Sequence, residues 1–348
     1  MKTVLFYQNK GANDEIFNST VRDNCNDPFI YLKERINQLG YEVKLVNEYD
    51  RVSDCEAILF LTAPYIVHYG GLKGKIRWLK HLIFGKKNIL VKTKFYDECV
   101  SKGMLNKMVL VLWEGQAVCP GNYNRYMHIQ FNKILTWDDS FVDNKKFFKF
   151  FLPIARQEKI KQVVPFKNKK LLVNVSINKS SSFKRELYSE RRETIEYFDK
   201  NFPNDFDLFG VGWNKDARDY DHEFACYRGP VKSKMAIMPK YKFALAYENL
   251  RGESGYVTEK IFDCLRAGTV PIYWGAPNIN DYVDQESFID RRKFKSNKEL
   301  ADFLIGISEG DYQTYLKAGE KYLGSEKFKL FLPEHFANTV IEILKLNA

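Results

Sequence analysis

The sequence predicts an α/β protein with two successive α/β domains and a cleft between them. Three observations carry this prediction. The chain has 348 residues, and at roughly 100–200 residues per domain this length is enough for two domains. Short apolar runs alternate with stretches of helical spacing in both halves, which is typical of parallel sheets with crossover helices. The alternation lapses once, between about Pro153 and Lys170, where we place the boundary.

The domain assignment follows from this lapse. An α/β unit lies on each side of it, and the last residues have the spacing of a helix. We therefore predict an N-terminal domain at 1–155, a linker at 156–170, a C-terminal domain at 171–330 and a C-terminal helix at 331–348.

The first half shows the alternation clearly. Asp27-Pro28 is typical of an N-cap followed by proline in the first turn, and this helix should end at Gly40. A second helix is predicted from the spacing of Leu72, Ile76, Leu79 and Ile83. Strands are predicted at Thr3–Tyr7, Tyr41–Val46, Ala57–Leu61, Ile89–Val91 and Met108–Trp113.

The second half repeats the pattern. Strands are predicted at Leu171–Ile177, Phe206–Phe209, Phe243–Tyr247 and Thr269–Trp274. Helices are predicted at Glu186–Phe198 and Thr258–Ala267, and again from about Asn297 onward. Ligands of such sheets bind at the carboxyl ends of the strands, so a site is expected in the cleft.

Composition narrows the class of protein. Hydrophobic residues make up 45% of the chain, which argues for a large core and against disorder. No run approaches the ~20 apolar residues of a membrane helix, and Met1–Tyr7 is too short for a signal peptide. We expect a cytoplasmic protein, with contact to a membrane surface left open. Its net charge of +10 suits nucleic acid, anionic membranes or a phosphorylated ligand.

Neither a metal site nor a disulfide framework is indicated. The six cysteines form no C-x-x-C pair, and Cys55 and Cys264 lie in apolar runs that predict buried thiols in a reducing compartment. None of the five histidines, His68, His81, His128, His222 and His335, is paired at metal-ligand spacing. The acidic pairs Asp138-Asp139, Asp205-Phe206-Asp207 and Asp219-Tyr220-Asp221 are explained by exposed loops. We expect no metal and no other cofactor.

The densest chemical signal runs from Tyr241 to Asp290. A strand ends in Glu248-Asn249, at the edge where a parallel sheet binds ligands. A glycine-containing loop follows, and Thr258 is expected to cap a helix whose first turn carries Glu259 and Lys260. The N–H groups and positive dipole of a helix start suit a diphosphate, and Lys260 adds a full charge.

This segment resembles the signature of the α1,3/α1,4-fucosyltransferases, glycosyltransferase family 10. The resemblance is carried by Tyr241–Leu245, Glu248-Asn249, Gly255–Asp263 and Ala267–Pro277. It implies the GT-B architecture of two Rossmann-like domains, and GDP-fucose as donor substrate in the C-terminal domain. It also implies transfer with inversion at the sugar and without a catalytic metal.

The same resemblance implies roles for individual residues. Lys260 should contact the diphosphate, and Glu259 should meet the ribose or the fucose. Asn249 and Tyr256 should lie in the same donor pocket. A further diphosphate-binding arginine should fall in Glu190–Glu193; Arg191 is favoured and Arg192 is the alternative.

A base is expected in the first domain. An inverting transfer needs a group that takes the proton of the acceptor hydroxyl, and Glu114 follows the buried strand Met108–Trp113 directly. The run Trp113–Tyr123 is similar to the acceptor-side motif of the family, whose glutamate is the proposed base. We therefore predict Glu114 as the catalytic base.

Several hypotheses about the function stay open at this point. The first is a fucosyltransferase with an oligosaccharide or glycoconjugate acceptor, with N-acetylglucosamine and an α1,3 linkage favoured. The second is a related GT-B enzyme with another nucleotide sugar. Two further hypotheses lie outside the glycosyltransferases. One is a basic nucleic-acid-binding module, but the sequence has no recognised nucleic-acid-binding motif. The other is an inactive glycan-binding protein.

Overall fold

The structure is a computed structural model that describes residues 2–9, 15–64, 93–156, 164–214 and 223–347. Within these ranges the chain forms two parallel β-sheets with helices packed on them. The first sheet has the strand order β2-β1-β3-β4-β5-β6, and the second has the order β11-β10-β9-β7-β8. All the strand pairs are parallel. The predicted α/β class is confirmed.

The strands of the first sheet are β1 (Lys2–Tyr7), β2 (Tyr41–Val46), β3 (Ala57–Phe60), β4 (Met108–Leu112), β5 (Lys133–Thr136) and β6 (Phe147–Lys149). The strands of the second sheet are β7 (Lys170–Val175), β8 (Phe206–Phe209), β9 (Tyr241–Tyr247), β10 (Val270–Trp274) and β11 (Ile289–Asp290). The sheets thus occupy separate parts of the chain, with the predicted linker between β6 and β7.

The α-helices of the described ranges are α1 (Asp27–Gln38), α2 (Lys94–Ser101), α3 (Arg125–His128), α4 (Tyr188–Asn201), α5 (Glu259–Arg266), α6 (Ile279–Tyr282), α7 (Asn297–Gly306), α8 (Glu309–Leu323), α9 (Glu326–Lys329) and α10 (Pro333–Leu344). None of them is both long enough and apolar enough to cross a membrane.

The sequence predictions need correction at three strands and at one helix cap. The strands β5, β6 and β11 were not predicted: β6 and β11 have three and two residues, too short to show a periodic pattern, and β5 has only two apolar residues among its four. The N-cap of α1 is Asn26 and not Asp27, because Asp27 already has helical geometry. The side chain of Asn26 is drawn away to the carbonyl oxygens of Glu15 and Asn18, so it does not cap the helix.

Other predictions fall on residues outside the described ranges. These are the helix at Leu72–Ile83, the strand Ile89–Val91, the acidic pair at Asp219–Asp221 and the histidines His68, His81 and His222. The middle of the predicted linker, 157–163, is also outside them.

The C-terminal helix returns to the first sheet. Phe336 and Val340 of α10 are buried in one cluster with Leu32 and Ile36 of α1. The hydroxyl of Tyr41 at the start of β2 donates to the carbonyl oxygen of Asn347 at 3.1 Å. The end of the chain therefore completes the core of the N-terminal half, so the two halves are connected twice.

A polar cluster joins the two halves beside the cleft. The carboxylate of Asp139 accepts hydrogen bonds from Lys149 of the first sheet at 2.7 Å, and from Tyr282 at 2.7 Å and Asn278 at 3.0 Å in the second half. Lys149 also donates to Tyr282 at 2.9 Å. Because these groups are partly buried, their ionic hydrogen bonds are strong and fix how the halves meet.

The loop that follows β9 inserts into this contact. Gly255 has a positive φ of 84°, and its amide donates to Asn278 at 3.0 Å. Next to it, Tyr256 is fully buried and packs against Trp137 of the first half, with ring centroids 4.6 Å apart. A Cβ atom at Gly255 would overlap the carbonyl oxygen of Trp137, so only glycine fits here.

We expect Gly255→Ala to lower the free energy of unfolding by about 2 kcal/mol or more, because it adds overlap to an unfavourable backbone conformation. Gly268→Ala is the matched control: Gly268 has a φ of +64°, but a Cβ there would meet nothing within 4 Å. The loss of unfolding free energy in Gly268→Ala should be limited to about 1 kcal/mol, which comes from backbone strain. Urea denaturation measures both, and equal losses would contradict the close contact with Trp137.

Candidate active site

A cavity of about 290 Å³ lies between the two halves of the molecule. Its wall contains Trp113 and Glu114, which follow β4, and residues at the carboxyl ends of β7 and β9. The start of α5 completes it. Six of the seven predicted site residues line this cavity: Glu114, Arg191, Asn249, Tyr256, Glu259 and Lys260. The structure brings together residues that are up to 146 positions apart in the sequence, counting from Glu114 to Lys260.

The start of α5 is organised by Glu248, which was not predicted as a site residue. Its carboxylate is fully buried directly after β9. It accepts hydrogen bonds from the backbone amide of Thr258 at 2.9 Å and from the Thr258 hydroxyl at 2.7 Å. Thr258 is the N-cap residue, but its side chain makes no capping bond to the helix. Thr258 thus occupies the predicted N-cap position, but the prediction that its side chain caps the helix is wrong, because the Thr258 hydroxyl is bonded to Glu248 instead.

Lys260 projects from the first turn of α5 to the same carboxylate. Its Nζ lies 3.0 Å from Oε2 of Glu248 and 2.9 Å from Oγ1 of Thr258. Burial alone would lower the pKa of Lys260, but the carboxylates of Glu248 and Glu259 outweigh it, so the pKa is raised. Lys260 is therefore an ammonium ion in the cavity wall.

Lys234 is a second cation that sequence reasoning missed. Its Nζ lies 2.7 Å from Asp263 and 3.7 Å from Glu259, and its side chain is only 15% exposed. Burial would lower the pKa of Lys234, and its two carboxylate neighbours raise it instead. Lys234 lies in an irregular segment before β9, and no motif or periodicity marked it.

Glu259 is held ionised by its neighbours. Burial within the cavity wall favours the neutral acid, but Lys260 and Lys234 together lower the pKa of Glu259 to about 2. Its side chain is 47% exposed because it faces the cavity. A fixed negative charge in this position can accept hydrogen bonds from sugar hydroxyls.

The two candidate arginines have different surroundings. Arg191 is buried and lines the cavity, and its guanidinium donates to the carbonyl oxygens of Tyr247 and Glu248 at 3.1 Å each. Arg192 is not among the residues that line the cavity and donates to Oδ1 of Asn178 at 3.1 Å. The geometry favours Arg191 as the one that can reach a bound anion.

Asn249 and Tyr256 both line the cavity and contact each other. The side-chain amide of Asn249 donates to the Tyr256 hydroxyl at 3.4 Å, and the backbone carbonyl oxygen of Asn249 accepts from the backbone amide of Leu187 at 3.0 Å. The charged residues of the intervening loop, whose roles were unassigned, anchor it: Arg251 pairs with Glu190 at 2.9 Å, and Glu253 pairs with Arg185.

Glu114 approaches the cavity from the first half. Burial raises the pKa of its carboxyl, with Glu259 and Glu248 adding to the shift and Lys260 and Lys179 opposing it. The charges of the second half thus act directly on a group of the first half. A carboxyl with a raised pKa is suited to accept a proton near neutral pH.

The histidine and aspartate considered next were weighed as site residues from the sequence, and both have structural roles. His128 is buried, and its ring bonds the carbonyl oxygen of Asn122 at 2.8 Å. Asp207 pairs with Lys170 at 2.8 Å and with Arg228 at 2.7 Å, so burial and ion pairing, not loop exposure, explain it. Among the described residues, no three His, Cys, Asp or Glu side chains are grouped so that they could hold a metal ion. Absence of a metal from the reaction stays a prediction.

Comparison with known proteins matches the second half of the chain to a family model. Residues 164–331 match the model of the glycosyltransferase family 10 (fucosyltransferase) C-terminal domain. This stretch contains the second sheet and α5, and therefore every predicted site residue except Glu114. This part of the chain, just under half of its length, is therefore similar to the C-terminal domain of glycosyltransferase family 10.

Relatives agree with this assignment. The chain is 45% identical over 111 residues to an α1,4-fucosyltransferase of Arabidopsis thaliana, covering 30% of this chain and 25% of the relative. It is 42% identical over 74 residues to an α1,3-fucosyltransferase of Helicobacter pylori, covering 21% of this chain and 15% of the relative. The matches thus span a quarter or less of these relatives.

A solved structure shows that the likeness extends to the whole fold. The crystal structure of an α1,3-fucosyltransferase with GDP superposes with a TM-score of 0.57 at 16% identity, over 99% of this chain and 91% of that one. The predicted GT-B architecture is confirmed.

The raised pKa of Glu114 predicts a stability effect. Because the folded protein binds the carboxyl proton more tightly than the unfolded chain does, the contribution of this group is favourable below about pH 4 and is lost as pH rises through the folded pKa. Glu114→Gln should therefore have a higher free energy of unfolding than the wild type at pH values above the raised pKa of Glu114, and the two proteins should converge at acid pH. The exposed Glu326→Gln is the control, and a destabilised Glu114→Gln at neutral pH would contradict the burial penalty.

Proposed function

We propose that the protein transfers L-fucose from GDP-fucose to a hydroxyl group of a glycan, with inversion at the sugar and with Glu114 as the base. One observation carries the proposal: a carboxyl of the first half and the cations of a family 10 donor domain line the same cavity. Such an arrangement supports a reaction between an acceptor bound by one half and a donor bound by the other.

The donor side is built for a diphosphate. Lys260, Arg191 and the first turn of α5 supply positive charge and N–H groups to one wall of the cavity, and these are the groups that bind phosphate oxygens in proteins. GDP as the nucleotide is supported by the fucosyltransferase whose structure contains GDP. Glu259 is positioned to accept hydrogen bonds from the sugars of the donor, and the side-chain amide of Asn249 is positioned to donate hydrogen bonds to them.

The chemistry requires one proton transfer and one displacement. The carboxylate of Glu114 takes the proton of the acceptor hydroxyl, and the hydroxyl oxygen forms a bond to C1 of fucose. The bond between C1 and the phosphate oxygen breaks on the opposite face, so the configuration inverts. The electron pair goes to GDP, whose growing charge is stabilised by Lys260 and Arg191. No step requires a metal ion.

The choice of acceptor rests on the family resemblance more than on the residues that line the cavity. We favour N-acetylglucosamine in an oligosaccharide or glycoconjugate and an α1,3 linkage, the linkage named for the H. pylori relative. The Arabidopsis relative is named for an α1,4 linkage, so an acceptor screen must resolve both products. Competition by other GDP-sugars and by UDP-sugars tests the alternative of a different donor.

Binding of GDP-fucose should depend on Lys260 and not on a metal. Lys260→Ala removes a partly buried cation and leaves Glu248 to repel the diphosphate. We expect affinity to fall at least about 30-fold, that is by about 2 kcal/mol. Arg192→Ala is the matched control and should bind as the wild type does. Calorimetry with EDTA measures this, and binding by the wild type that EDTA abolishes would overturn the metal-free donor site.

Turnover should depend on Glu114 while donor binding does not. Glu114→Gln retains the shape of the side chain but cannot take a proton, so we expect kcat to fall by about 100-fold or more with no loss of affinity for GDP-fucose. The wild-type rate should rise with pH through the raised pKa of Glu114. Transfer assays with Glu326→Gln as control measure this. A full rate in Glu114→Gln would exclude Glu114 as the base.

A further inference from the structure

The buried carboxylate of Glu248 is not used by the mechanism above. It is fully inaccessible to solvent and does not line the cavity. Yet all of its hydrogen bonds go to the donor-side machinery: two from Thr258 and one from Lys260. In the described part of the chain, its salt bridge is with Lys260, at 3.0 Å. The cation expected to bind the diphosphate is thus already paired with a carboxylate.

The charges in and behind the cavity wall are equal in number before a ligand binds. Four carboxylates face four cations there: Glu114, Glu248, Glu259 and Asp263 against Lys179, Lys234, Lys260 and Arg191. A diphosphate adds about two negative charges in a region of low dielectric. An uncompensated buried charge is costly enough that ionisable groups commonly become neutral instead. One carboxylate is therefore expected to take up a proton when the donor binds.

Glu248 is the carboxylate best placed to do so. Glu259 is kept ionised by two lysines, and Asp263 keeps its own partner, Lys234. Glu114 is partly accessible to water. Glu248 has no such access, and the ligand competes for its cation. The titratable and charged groups near it are Lys260, Glu259, Arg191, Glu114, Tyr256 and Tyr273.

We propose that Glu248 is a positioning residue that holds the Lys260 ammonium before the donor binds and takes up a proton from solvent when the diphosphate engages that ammonium. Lys260 stays protonated throughout, and the proton on Glu248 returns to solvent when GDP leaves. Burial already raises the pKa of Glu248, with Lys260 as the main opposing influence, so weakening that pair shifts the pKa further upward. The inference rests on the proposed function, because it assumes a diphosphate ligand at Lys260.

The sign of the pH dependence follows from linkage. A group with a higher pKa in the complex than in the free protein favours binding at low pH, and the affinity falls as pH rises between the two values. Glu248→Gln removes this group but keeps the size of the side chain and its ability to bond with Thr258. Its affinity for GDP-fucose should lose this component of the pH dependence.

The experiment measures protons taken up when GDP-fucose binds, by calorimetry in two buffers with different heats of ionisation near neutral pH. GDP-fucose is the probe because its diphosphate is esterified at both ends, whereas a terminal phosphate such as that of GDP titrates near pH 6 and would exchange protons itself. We expect the wild type to take up a measurable fraction of a proton, up to about one. Glu248→Gln should take up none, and Glu114→Gln should behave as the wild type does.

The outcomes separate the two proposals. If the folded wild type does not bind GDP-fucose, the proposed function fails. If it binds without proton uptake, or if uptake is lost in Glu114→Gln and kept in Glu248→Gln, the donor site stands and the role of Glu248 is overturned. If Glu248→Gln does not fold, Glu114→Gln and Asp263→Asn decide by elimination, because uptake must persist in both.

Discussion

The buried ion pair between Glu248 and Lys260 is the interaction on which the rest of the site depends. Without Lys260, a carboxylate with no access to water would have no salt-bridge partner. Without Glu248, the hydroxyl of Thr258 and the ammonium of Lys260 would each lose the carboxylate that they bond at the start of α5. A buried pair of this kind contributes little net stability, so its value lies in the position that it imposes on the cation.

The two halves of the molecule meet around this site. The loop after β9 leaves the second sheet, buries Tyr256 against Trp137 of the first half, and is bonded through Gly255 to Asn278. The cluster around Asp139 and the return of α10 to the first sheet hold the same contact from other directions. The start of α5 and the side chain of Glu114 therefore share one cavity, which is the arrangement that the proposed transfer between two bound substrates requires.

Local sequence patterns predicted a large part of this structure. The strands with a clear apolar run were predicted in both sheets. The strands β6 and β11 were missed because they are short, and β5 was missed because only two of its four residues are apolar. The site residues in Gly255–Lys260 were predicted because the family signature is contiguous in the sequence. Lys234 and Glu248 were missed as parts of the site, because their roles arise from ion pairs between segments that no spacing rule connects.

By itself, the sequence determined the α/β class, the division into two sheets and the residues that open α5, because these depend on periodicity and on adjacent residues. The tertiary structure decided between Arg191 and Arg192 as cavity residues, paired Lys260 with Glu248, and brought α10 back to α1. The physical reason is that burial and electrostatic coupling are set by distances in space, and a linear pattern does not contain those distances.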